Sequence, residues 1–214
     1  MTHHPIDHSS TPIRLFKSGF LEFFTHISPV VVIIIWLPFA IYMLAVGIEA
    51  GQARGASWVD VPVAFLVGLF FWTLAEYLLH RFVFHFSPRT PVQEKILYLF
   101  HGIHHHQPQI KTRLVMPPVV SIPLAALFYG LFVLIFDLLL GLQNWVGPVM
   151  SGFIVGYLVY DLTHYATHHF PMRRGIFKYL KRYHMQHHFK TPDQRFGVSS
   201  PLWDVVFGTK PAER

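Results

Sequence analysis

Histidine sets this chain apart, with 16 in 214 residues. His164 and His168 form an HX3H pair, and His184, His187 and His188 form an HX2HH group. Residues three and four apart on a helix are neighbours, so each group gathers imidazoles on one face, where they can converge on a metal ion. Imidazole is the commonest side-chain metal ligand. Two more groups come earlier: His80 and His85, spaced HX4H, and His101, His104 and His105, again HX2HH. One metal ion cannot use ten ligands, whereas two ions with four to six imidazoles each can. Nitrogen donors without sulfur suit iron, zinc, copper or nickel. His106 and His169 point about 100° from their neighbours on a helix and are left out of the ligand set. Metal-bound imidazoles donate their second N–H to a carboxylate or carbonyl. Glu76, four residues before His80, and Asp161, three before His164, are the acids expected to do this. No catalytic group beyond the ligands, and no site for an organic cofactor, is singled out.

These groups must be positioned by a membrane protein. The chain is 52% hydrophobic and 13% charged, against about a quarter charged in soluble domains. Without cysteine, disulfides, iron–sulfur clusters and thiolate zinc sites are excluded. Residues 1–12, with His3, His4 and His8, read as a disordered polar tail, and nothing resembles a cleavable signal peptide. Residues 13–26 carry Ile13, Phe16, Phe20, Phe23 and Phe24 on one face, a pattern for a short interfacial helix, and His26 reads as interfacial. Four spans follow, at 27–48, 61–79, 119–140 and 148–161, with a kink expected at Pro38. Residues 94–105 read as an amphipathic helix. Of the seventeen Lys and Arg, only Arg54 lies in the loops between spans one and two and between spans three and four. The positive-inside rule then puts both termini and every dense histidine group on the cytoplasmic side. In such a chain the positive excess faces anionic lipid, and no nucleic-acid partner is expected. Arg173, Arg174, Lys178, Lys181 and Arg182 form a cationic stripe for lipid headgroups or an acidic electron donor. Phe70, Phe71, Trp72, Phe82 and Phe84 anchor the membrane interface or line an acyl-chain tunnel.

Glu76–His85 (EYLLHRFVFH), His101–His105 (HGIHH), Arg113–Pro118 (RLVMPP), Tyr160–His169 (YDLTHYATHH), Tyr183–Phe189 (YHMQHHF) and the closing Phe196–Thr209 resemble the fatty acid hydroxylase superfamily. The RLVMPP run and the tail resemble its sphingolipid fatty acid 2-hydroxylase branch. The resemblance implies an all-α integral membrane fold: four transmembrane helices with a cytosolic helical cap holding a di-metal histidine site, as one domain over residues 13–210. It implies ligands at His80, His85, His101, His104, His105, His164, His168, His184, His187 and His188. It implies two iron ions, which zinc can replace in purified protein, and O2 as co-substrate. It implies insertion of one oxygen atom at carbon 2 of an acyl chain, free or in a ceramide or sphingolipid. Eukaryotic members often carry a fused cytochrome b5 domain with an HPGG motif, which this sequence lacks. A separate donor, cytochrome b5-like or a ferredoxin with its reductase, is therefore expected, and a bacterial inner membrane as the location. Alternatives are a related lipid or sterol hydroxylase or desaturase, and a histidine-rich metal transporter. A transporter would place ionisable groups near the bilayer midplane, whereas these spans are nearly free of them.

Overall fold

The computed structural model describes residues 5–212, so His3 and His4 lie outside the described residues. All regular structure among those residues is helical. The helices are α1 (Gly19–Phe23), α2 (Pro29–Ala53), α3 (Asp60–Leu78), α4 (Pro91–Leu97), α5 (Ile103–His106), α6 (Pro118–Phe132), α7 (Gln143–His169), α8 (Gly175–Phe189) and α9 (Leu202–Val206). Four of them adjoin three wider π-helical turns, at Leu79–Phe84, Tyr98–Gly102 and Val133–Leu139. Four helical stretches are long and apolar enough to cross a membrane: Pro29–Ala53, Asp60–Phe84, Lys111–Leu139 and Gln143–His169. The chain packs as two compact units. One holds the residues up to Ser28, Leu74–Val115 and those from Tyr160 onward; the other holds Pro29–Thr73 and Met116–Val159.

The second unit is built on aromatic and glycine contacts. Trp72 packs edge-on against Phe153 and Tyr157, with centroids 5.1 and 5.3 Å away. Phe128 lies 4.5 Å from Phe153, and the Trp36 indole donates to Ser121 Oγ at 3.2 Å. Lipid gives helices no hydrophobic reason to associate, so close backbone approach through small residues does much of the work. Along α7, 78% of the most apolar window is buried, against 33% for Asp60–Phe84, which makes α7 the enclosed helix. A Cβ on Gly152 would strike the Phe65 carbonyl, and one on Gly68 the Val149 carbonyl. Over-packing costs about 1–3 kcal/mol or more, so Gly152→Ala is expected to lower the thermal unfolding midpoint in detergent. Gly130→Ala, at a position with nothing within 4 Å of the added methyl, should leave it unchanged or raise it. Equal midpoints would contradict this packing.

Several boundaries differ from the sequence reading. The first span runs to Ala53 rather than residue 48, with Pro38 inside the helix. The fourth begins at Gln143 and continues to His169, so His164 and His168 stand on the same helix that crosses. Residues 94–105 are two short α-helices joined by a π turn, not one amphipathic helix.

In the first unit the interfacial helix expected over 13–26 shrinks to α1. Ser18 caps it, and the Glu22 carboxylate accepts the amides of Leu15 and Phe16 at 2.9 and 2.8 Å, which turns the chain back instead of winding it. Arg113 binds that carboxylate at 2.5 Å and the Ile13 carbonyl at 2.5 Å. Burial works to raise the Glu22 pKa, but the two amides and Arg113 outweigh it and hold it below the usual carboxylate range. His26, read as interfacial, lies within this network: its Nδ1 is 2.6 Å from Thr112 Oγ1 and its Nε2 3.0 Å from Arg113. The described part of the expected tail, residues 5–12, is irregular chain tied to buried Gln107. The Gln107 amide donates to Asp7 and Ser9 at 2.7 and 3.1 Å, and its oxygen accepts the Ile13 amide at 2.9 Å.

Candidate metal centre

All ten sequence-selected histidines lie in the first unit, and they sort into two groups. His80, His85, His101, His105 and His187 form one; His104, His164, His168, His184 and His188 form the other. Within each group one nitrogen per ring lies within 4.8 Å of the rest. His106 and His169 belong to neither: His106 Nδ1 pairs with Tyr98 OH at 2.9 Å, and His169 packs on Tyr165 with centroids 4.8 Å apart.

The allotment keeps the pairs His80/His85 and His164/His168 together and corrects the reading only for the two HX2HH groups. His101 and His105 serve one group and His104 the other; His184 and His188 serve one and His187 the other. Positions i and i+4 share a helix face, while consecutive residues point about 100° apart. An HX2HH run therefore divides its imidazoles between two centres and ties them together. His105 and His188, from different groups, stack with centroids 4.1 Å apart.

The HX4H pair needs a different device. Five residues on an α-helix put two side chains about 140° apart. The chain from Leu79 to Phe84 is instead wound as a π-helix, which brings the His80 and His85 rings to 4.8 Å. A second π turn, Tyr98–Gly102, presents His101. Such turns gather at functional sites because they re-aim side chains within a helix.

Distances between the Nε2 atoms show what the groups can hold. His104 Nε2 lies 2.9 Å from that of His164 and 3.0 Å from that of His188. His184 Nε2 lies 3.0 Å from those of His168 and His188. In the other group, His101 Nε2 is 3.1 Å from His80 and 3.0 Å from His105, and His85 is 3.1 Å from His187. Each Nε2 has one in-plane position, filled by a proton or a lone pair, and so makes one good hydrogen bond. His104, His184, His188 and His101 each have two such neighbours, so hydrogen bonds alone cannot satisfy them. A cation at the centre of each group can. Ligands at right angles about 2.1 Å from a metal lie about 3.0 Å from each other, whereas tetrahedral ones lie about 3.4 Å apart. The spacing and the five donors per group thus fit an ion of higher coordination better than a closed four-ligand zinc site.

Protonation supports the same fit. Burial pushes the imidazoles of His101, His104, His184, His187 and His188 well below the ordinary histidine range, and the neighbouring rings push the same way. They are neutral at pH 7, as ligands must be. Two rings are aimed by backbone carbonyls: His80 Nδ1 donates to Phe196 O at 2.5 Å and His187 Nδ1 to Gln194 O at 2.7 Å. A carbonyl only accepts, so Nδ1 carries the proton and Nε2 keeps its lone pair for the centre.

Glu76 was expected to accept the second N–H of His80, but the Phe196 carbonyl does so instead, and Glu76 acts one step behind it. It is buried at 4% exposure, and its Oε1 accepts the amides of Val198 and Ser199 at 2.6 and 2.9 Å, with the Ser199 hydroxyl on Oε2. It thus fixes the loop whose Phe196 carbonyl meets His80. Asp161 is buried at 1% exposure, one turn before His164. The aiming carbonyls of Gln194 and Phe196 were missed in the sequence because backbone atoms leave no mark in residue type.

Around this centre the cationic stripe is narrower than expected. Lys181 turns inward, donating to the Thr167 and Phe170 carbonyls at 2.6 and 2.9 Å and closing the end of α7. Arg173, Arg174, Lys178 and Arg182 remain exposed. Of the aromatic set, Trp72 and Phe84 are buried and Phe70 and Phe82 are exposed.

Residues 65–209 match the family model described as fatty acid hydroxylase. A dihydroceramide fatty acyl 2-hydroxylase of Arabidopsis thaliana is 38% identical over 209 residues, 98% of this chain and 84% of the relative. A ceramide very long chain fatty acid hydroxylase of Saccharomyces cerevisiae is 38% identical over 210 residues, covering 97% and 52%. The fatty acid 2-hydroxylase of Homo sapiens is 34% identical over 229 residues, covering 99% and 59%. Among solved structures, full-length Scs7p, with only its hydroxylase domain visible, superposes with a TM-score of 0.80. It is 38% identical, covering 91% of this chain and 70% of that one.

Proposed function

The chain belongs to the fatty acid hydroxylase family, and from that premise we propose that it inserts one oxygen atom of O2 at carbon 2 of a fatty acyl chain, free or in a ceramide-type lipid. The observation that carries this reading is the pair of five-imidazole groups, each with one nitrogen per ring within 4.8 Å of the rest. The names of relatives from plants, yeast and mammals support the position on the chain. Two iron ions held by the ten imidazoles would supply what no side chain here can, the two-electron activation of O2 that breaking a saturated C–H bond requires. One oxygen atom enters the C–H bond. The other leaves as water with two protons and two electrons from a donor.

The residues of the chain hold and aim. The buried imidazoles stay neutral and available. Glu76 holds the loop behind His80, and Asp161 is the acid proposed to steady His164. Four apolar helices keep the acyl tail in the bilayer, so that carbon 2, beside the polar head, comes to the membrane boundary. The positive-inside rule puts that boundary on the cytoplasmic side. Electrons come from a separate protein, cytochrome b5-like or a ferredoxin. Its acidic surface meets exposed Arg173, Arg174, Lys178 and Arg182, which flank exposed Ile176 and Phe177 along the chain; charge complementarity of this kind suits a transient partner.

The deciding experiment expresses the chain, or its His168→Ala variant, under 18O2 in a host without 2-hydroxy lipids, and reads the lipids by mass spectrometry. The expected product carries one 18O at carbon 2 and disappears in the variant. Label at another carbon, or a new double bond without label, would overturn the assignment of position or of reaction.

A further inference from the structure

On the two-metal reading of the site, we propose that Asp204 and Glu76 are positioning residues for one centre alone. They hold the 194–199 loop so that His80 and His187 are aimed before metal arrives, and that centre binds its ion more tightly than the other.

Four consecutive amides of this loop end on two buried carboxylates. Phe196 N and Gly197 N donate to the two oxygens of Asp204 at 2.9 and 2.8 Å. Val198 N and Ser199 N donate to Glu76 at 2.6 and 2.9 Å. Asp204 is fully buried and also accepts the Thr209 hydroxyl at 2.7 Å. Each carboxylate is held by two amides and a hydroxyl, so the amide side of the loop is fixed and its carbonyl side is fixed with it. A Cβ on Gly197 would strike the Ser200 carbonyl. Arg195 sits at φ 60°, a left-handed conformation that a side-chain-bearing residue keeps only when its surroundings impose it. Here its amide is held by the Thr209 carbonyl at 3.1 Å and its guanidinium lies over the Tyr183 ring.

Both carbonyls that face imidazoles from this loop, those of Gln194 and Phe196, serve the group of His80, His85, His101, His105 and His187. The other group has no such support at three of its rings: the Nδ1 atoms of His104, His184 and His188 are buried without a hydrogen-bond partner. A partner on the far nitrogen fixes the ring and raises its basicity, and losing one costs about 10–100-fold in metal affinity. In the second group His164 faces the Leu114 carbonyl, so two anchored rings stand against one anchored and three orphaned, and the centres are unequal.

The test titrates the metal-free full-length protein in detergent with Zn2+ by calorimetry, with bound metal counted by mass spectrometry. Two ions are expected, in steps separated by about tenfold or more. His105→Ala should remove the tighter step and His168→Ala the weaker. Asp204→Asn should weaken the tighter step by about 10–100-fold and leave the weaker one in place. If that variant does not fold, Ser199→Ala, which removes one donor to Glu76, should shift the same step in the same direction. Equal steps, a tighter step lost in His168→Ala, or equal weakening of both steps by Asp204→Asn would overturn the inference. Uptake of one ion or none would overturn the two-metal reading itself, and the inference with it.

Discussion

Alanine at His104 or at His105 is expected to abolish turnover and remove one metal ion per chain, whereas alanine at neighbouring His106 should leave both ions and most of the activity. The three residues are consecutive and chemically identical, so only direction separates them. His105 Nε2 lies 3.0 Å from His101, in one centre, and His104 Nε2 lies 2.9 Å from His164, in the other. His106 faces Tyr98. Loss of a ligand must cost more than the 10–100-fold that follows from losing a group that merely orients one. Metal counting alongside product formation checks both halves. Full metal content with turnover in His105→Ala would break the allotment, and loss of metal in His106→Ala would move the site.

The contrast between these neighbours also marks how far the sequence could be read. The ten imidazoles stood out by type and spacing. Which centre each serves did not, because the 100° step that set aside His106 and His169 also separates His104 from His105, and this consequence shows only once two centres are drawn. The HX4H pair was selected although an α-helix would point its members apart, and no hydrophobic pattern announces the π turn at Leu79–Phe84 that reunites them. The apolar runs gave the four spans but not their ends: α7 stays helical past the membrane-length stretch because it carries His164 and His168 into the site. Glu22 with Arg113, Gln107 with Asp7, and Glu76 with Val198 pair across about a hundred residues. Local periodicity cannot see such pairs. Nothing in the spacing singles out Asp204, whose carboxylate holds two amides of the loop that aims His80.

Acid should unfold the metal-free protein in one unit and spare the other. Burial, reinforced by neighbouring rings, holds His101, His104, His184, His187 and His188 well below the ordinary histidine range. In the unfolded chain the same groups take up protons around pH 6.5. Below that pH the unfolded state binds more protons than the folded one, so stability is complete above about pH 6.5 and is lost as pH falls. Each group contributes up to about 1.4 kcal/mol per pH unit. The five shifts run in the same direction, so the loss of stability steepens as pH falls. A bound metal ion competes with protons for the same nitrogens, so the loaded protein should hold its fold to lower pH. All five lie in the unit made of the first 28 residues, Leu74–Val115 and the chain from Tyr160; Pro29–Thr73 and Met116–Val159 contain no histidine. Hydrogen exchange followed by mass spectrometry should therefore show protection lost between pH 7 and 5 in α4, α5 and α8, restored by metal, and retained throughout in α2. Protection in α8 that does not change with pH in the metal-free protein would mean that its imidazoles accept protons within the fold, and that burial does not hold them neutral.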